Sequence, residues 1–153
     1  MLPAIRRFLA EIMGAPEPRP FTEDDLRLSA AALLFHVIAV DDNVTPDERA
    51  RLHDLLKERF ALGDRDTDAL IAAAKTADDE AVDLYGFTSV LKRHLDERER
   101  ERIIEMMWQL VFADGEVHEF EENVLWRVAE LMGVSSQVRI RLKQSARATA
   151  AGQ

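Results

Sequence analysis

A window of sixteen residues in this chain recurs, largely in class and seldom in letter. Residues Leu33 to Glu48 read LLFHVIAVDDNVTPDE, and residues Met106 to Glu121 read MMWQLVFADGEVHEFE. A constant offset of 73 places Asp41 on Asp114, Val44 on Val117, Glu48 on Glu121 and Leu52 on Leu125. Leu33, Leu34, Phe35, Val37, Ile38, Ala39 and Val40 all meet apolar residues in the second copy. Each copy is an apolar helical run, a short acidic turn and the start of another amphipathic pattern. Such a repeat is one supersecondary unit used twice, and two units bury their apolar faces together. The expected fold is an all-α helical bundle of about seven to eight helices built from two related halves. The charged identities within the window are Asp41/Asp114 and Glu48/Glu121, which straddle the turn. Any site is expected there.

Start and stop signals divide the chain. Residues 1–13 carry Leu2, Ile5, Phe8, Leu9, Ile12 and Met13 at helical spacing, broken by Arg6, Arg7 and Glu11. That is an amphipathic helix rather than a signal peptide, and docking on a protein core suits it better than lying on lipid. Residues 14–21 contain a proline-rich linker. Residues 22–148 form the helical domain, and 149–153 a tail. Thr22 with Asp25, Thr45-Pro46 with Glu48, Asp96 with Glu99, and Ser135 all read as helix starts. The first domain helix is expected to run to about Val40, with Leu26, Ala30, Leu33, Leu34, Val37 and Ile38 as its buried stripe. Gly63 and Gly133 are expected to stop helices, Ala77 to Glu80 to form a polar break, and DERERERI, from Asp96, to be a solvated helix start with internal ion pairs. Val138, Ile140 and Leu142 are the apolar residues of the last helix. No segment alternates as a strand would.

Composition narrows the function. The chain has 153 residues, enough for one domain with a sizeable core. It has no cysteine, so disulfides, thiolate zinc sites and thiol redox chemistry are excluded. A net charge of −9 argues against nucleic-acid binding and suits a cation or a basic partner. No apolar run is long enough to span a bilayer, and the cytoplasm is the expected compartment. There is no HExxH, no glycine-rich phosphate loop and no nucleophile elbow. No catalytic constellation appears, so the chain is expected not to be an enzyme. His36 reads as a helix-flank residue, and His118 as a cap of the helix after the second turn.

The acidic turns are rich in oxygen donors, which calcium and magnesium require. Asp41 falls near a helix C-terminus, where the negative end of the dipole favours a cation. Glu48 falls one turn into the next helix. The candidate metal ligands are Asp41, Glu48, Asp114 and Glu121, with Asp42 and Glu116 as additional donors. The first turn has the alternating oxygens of an EF-hand loop, but Pro46 stands where its glycine belongs and Leu52 where its bidentate glutamate belongs. The second fails at the same last position, Leu125. A purely structural reading is also open: Glu48 and Glu121 sit at the third helical position, where a capping-box glutamate belongs.

An apolar helix ending in AxDG or a close variant, followed by a glutamate seven residues after the aspartate, resembles the TerB-like tellurite-resistance family. VFADGEVHEFEENVLWRVAELMGV carries the resemblance closely and IAVDDNVTPDERARLHDLLKERFAL more loosely. It covers about residues 22 to 148. It implies an all-helical, non-enzymatic stress-response domain whose acidic residues chelate a divalent cation, here Asp41, Glu48, Asp114 and Glu121. It also implies a protein partner or a membrane-associated complex, hence a place at the membrane periphery. This chain departs in having Asp42 where the second copy has Gly115. The alternatives are a metal-free helical scaffold mediating protein–protein interaction and, third, a metal-dependent hydrolase.

Overall fold

The computed structural model describes residues 22–39, 44–81, 83–113 and 119–151. The expected helix 1–13 and linker 14–21 lie outside them. All regular structure among the described residues is helical. The helices are α1 (Glu23–Ala39), α2 (Pro46–Phe60), α3 (Asp64–Glu80), α4 (Tyr85–His94), α5 (Glu97–Val111), α6 (Glu119–Leu131) and α7 (Ser136–Ala151). Adding 73 to α1 gives 96–112, against the observed Glu97–Val111; adding 73 to α2 gives 119–133, against Glu119–Leu131.

Helix α1 is the centre of the bundle. It packs against α2, α3, α4, α5 and α6. The expected one-sided stripe is too narrow, because Leu28, Ala31, Ala32 and Phe35 are buried as well. An apolar helix without a polar face belongs inside, surrounded by others. Its most extensive partner is α3. Both helices bury alanines (Ala30, Ala31 and Ala32 on α1, Ala74 and Ala77 on α3), whose small side chains permit close approach. Residues 77–80 are accordingly the last turn of α3 and not a break, and His36 Nδ1 of α1 lies 2.6 Å from Asp78 Oδ1 there. His36, half-buried on the flank of α1, is thus also an inter-helix partner.

The caps explain most element boundaries. Thr22 Oγ1 accepts from the Asp25 N–H and Asp25 Oδ2 from the Thr22 N–H. Asp96 and Glu99 make the same reciprocal pair. Ser135 Oγ accepts from Val138 N–H. Gly133 lies at φ +74. The Val134 N–H reaches the Ala129 carbonyl and the Gly133 N–H that of Glu130, the two bonds of a Schellman stop. Helix α2 ends differently from expectation. Ala61, at φ 52, takes the left-handed position, while Gly63 is extended and precedes α3. A left-handed L-residue costs about 1–2 kcal/mol. Ala61→Gly is expected to raise stability by about 0.5–1 kcal/mol, after the glycine's extra unfolded-state entropy. Gly133→Ala is expected to lower it by about 1–2 kcal/mol, since its Cβ would also meet Arg100 Nη1 at 3.3 Å. Urea unfolding of both variants checks the opposite signs.

Helix α7 packs chiefly on α5. Leu142 and Ala146 are buried, and Val138 packs against the core. Ile140 is 49% exposed, because two residues along a helix turn it to the side opposite Val138 and Leu142. The neighbouring stripe is cationic. Arg139, Lys143 and Arg147 lie over the rings of Trp126, Trp108 and Phe112 at 5.6, 5.2 and 5.5 Å. The helix runs on to Ala151, through part of the expected tail. Two charges of the DERERERI segment reach across helices: Arg100 Nη1 donates to the Met132 carbonyl while its Nε donates to the Asp96 carbonyl of its own first turn, and Glu101 pairs with Arg141 at 3.1 Å.

Candidate functional site

The first acidic turn joins α1 to α2. Thr45 is extended at φ −77, ψ 157, which aims its side chain back over the first turn of α2. Its Oγ1 accepts from the Glu48 N–H at 3.1 Å, and Glu48 Oε1 accepts from the Thr45 N–H at 3.0 Å. Pro46 occupies the first helical position, where no amide donor is needed. This closed box holds Glu48 at 2% exposure. Glutamate is rarely so buried unless donors or charges meet it. The positive end of α2 and the Thr45 amide supply them.

The second turn joins α5 to α6. The end of α5 tightens as the Ala113 N–H reaches the Leu110 carbonyl. Glu121 is the third residue of α6, the position matching Glu48, and is 1% exposed. Both third-position glutamates are therefore buried at the starts of their helices. Asp41, Asp42, Asp114 and Glu116 lie outside the described residues, as does His118. Among the described residues no group of three or more His, Cys, Asp or Glu side chains is placed to hold a metal ion.

Near the second turn the surroundings are basic. Lys143 Nζ donates to Glu122 Oε1 at 2.6 Å. That hydrogen bond, with help from the Lys143 and Arg147 charges, holds the Glu122 carboxyl below its ordinary value. A depressed carboxylate contributes stability that is fully present above its unfolded value, near 4.5, and is lost as pH falls through the lower folded value. With both side chains partly exposed, the contribution is about 0.5–1 kcal/mol after screening. Glu122→Gln is expected to remove that portion of the acid-side loss of stability, seen by comparing urea midpoints at neutral pH and below pH 4.5.

A second polar group sits between α2 and α3. His53 Nε2 lies 3.4 Å from Asp68 and 3.8 Å from Asp64. Lys57 pairs with Asp64 at 2.7 Å. Their hydrogen bond pulls the Asp64 carboxyl down and pushes the Lys57 ammonium up. Both are open to solvent, so the pair adds little to stability.

Among the described residues no helix is long and apolar enough to cross a membrane. No curated protein and no solved structure matches the chain. The family model described as tellurite resistance protein TerB matches residues 27–144, from the buried α1 through both acidic turns and into α7. With most of its length matched, and with the all-helical order just described, this chain belongs to the TerB tellurite-resistance family.

Proposed function

We propose that this chain is a non-enzymatic stress-response domain of the tellurite-resistance type whose acidic inter-helix turns bind a divalent cation, calcium or magnesium. The observation that carries the reading is the pair of carboxylates buried at matching third positions, Glu48 and Glu121. Asp41 and Glu48 would hold an ion at the first turn, and Asp114 and Glu121 at the second, with Asp42 and Glu116 as further oxygen donors. The known bond of Glu48 does not conflict with this. A carboxylate has several acceptor sites, and the Thr45 N–H occupies one. A bound ion would offset the negative charge of the turns and tie each pair of helices together. The reading gives no residue a catalytic role. It places the protein in the cytoplasm, docked to a protein partner or at the edge of a membrane-associated complex.

A metal-free helical scaffold is the second reading. The reciprocal Thr45–Glu48 bonds favour it, because they account for the burial of Glu48 without an ion. Thermal unfolding separates the two. Chelator-treated protein is melted with and without millimolar calcium, magnesium or manganese. At a hundredfold excess over Kd a native-state ligand adds about 2.7 kcal/mol, or roughly 5–10 °C at this size. The rise is expected to vanish in the Asp41→Asn/Asp114→Asn double variant. No shift with any of the three ions leaves the scaffold, which predicts loss of partner binding when residues 1–13 are removed.

A further inference from the structure

A groove of about 250 Å³ opens where α2, α5 and α7 meet. Three guanidinium groups line it, Arg51 and Arg59 from α2 and Arg102 from α5. This is a concentration of positive charge on a chain of net charge −9. Its apolar wall is Leu55, Met106 and Ala146, the last two buried in the core. Arg59 lies with its guanidinium 5.4 Å from the Phe60 ring, and its Nε is buried with no hydrogen-bond partner among the described residues. Neither Arg59 nor Arg102 makes an ion pair with a described residue.

We infer that this groove binds a small organic carboxylate, its head on Arg59 and Arg102 and its apolar body against Leu55, Met106 and Ala146. Guanidinium groups present paired donors that match a carboxylate or phosphate. Charge decides between them. Glu58 and Glu105 also line the groove, so three positive and two negative groups leave one positive charge. That balance suits a monoanion and disfavours a dianionic phosphate. Size sets the body. A cavity of roughly 150 Å³ holds benzene, so the groove accommodates one ring or a short branched chain beside the carboxylate. The inference is independent of cation binding at the turns, because it uses none of the candidate metal ligands.

The test is an amide chemical-shift titration of the full chain with benzoate at constant ionic strength. Benzamide, neutral and of the same shape, is the control. Saturable shifts at millimolar benzoate are expected for Arg59, Met106 and Thr149, with none for benzamide. Arg59→Gln and Arg102→Gln are each expected to weaken benzoate by roughly tenfold or more. Arg102 is exposed, so its variant keeps the test open if Arg59→Gln fails to fold. Glu105→Gln removes a repelling charge and is expected to tighten binding severalfold. Inorganic phosphate is expected to compete weakly. Equal binding of benzamide, an unchanged Kd in both arginine variants, or no saturable shift overturns the inference.

Discussion

Trp108→Ala is expected to destabilise the fold by about 3–5 kcal/mol, the range for deleting a buried tryptophan side chain. Trp108 is 1% exposed on α5. Its ring stacks on Phe112 at 5.9 Å and meets the edge of Trp126, on α6, at 6.3 Å. Lys143 of α7 covers it at 5.2 Å. One side chain therefore joins α5, α6 and α7. Its loss removes apolar burial, two aromatic contacts and a cation–π contact, each of the last two kinds worth about 0.5–1.5 kcal/mol. Trp108→Phe is expected to cost less than about 2 kcal/mol. It keeps a ring in place and removes the indole N–H, which is buried without a partner among the described residues. Relief of that donor offsets part of the lost area. Urea unfolding gives both values. A cost below about 1.5 kcal/mol for Trp108→Ala would mean that α7 is held by Val138, Leu142 and Ala146, with the rings as bystanders.

The contrast between α1 and α7 shows what a single sequence can convey. The capping pairs Thr22/Asp25, Thr45/Glu48 and Asp96/Glu99 were readable because each is a local bargain between side chain and backbone, complete within four residues. The all-helical class followed from the same signals. The surroundings of a helix are not local. In the run from Leu28 to Ile38 almost every residue is apolar, so periodicity cannot reveal that neighbours cover all sides. On α7 the spacing of Arg139, Lys143 and Arg147 was visible, but their ring partners come from α5, its C-terminal cap Phe112 and α6. The stop at Ala61 was hidden because a glycine two residues later offered the cheaper left-handed residue. At the candidate site the third helical positions of Glu48 and Glu121 were legible, and their burial was not. The Arg51, Arg59 and Arg102 groove has no sequence signature, since residues from distant parts of the chain converge on it.

Glu48 is where the structural and functional readings of the acidic turn part company. Glu48→Ala is expected to cost about 1–3 kcal/mol in chelator, since it strips the acceptor from the partly buried Thr45 N–H. Glu48→Gln is expected to cost less than about 1 kcal/mol, because a glutamine amide oxygen accepts the same bond in a capping box. The two variants thus separate the shape of the cap from the charge of the carboxylate. With metal present they converge under the cation reading: glutamine preserves the cap and supplies a weaker, neutral oxygen, so most of the metal-induced rise in Tm is lost in both. Under the scaffold reading metal shifts neither the wild type nor either variant, and the two variants differ only by the cost of the cap. A third pattern has its own meaning. If Glu48→Gln costs as much as Glu48→Ala without metal, the negative charge itself stabilises the start of α2, as the helix dipole favours. The matching variants of Glu121 carry the comparison to the second turn. Loss of the metal response on substitution at one turn and not the other would assign the ion to that turn alone.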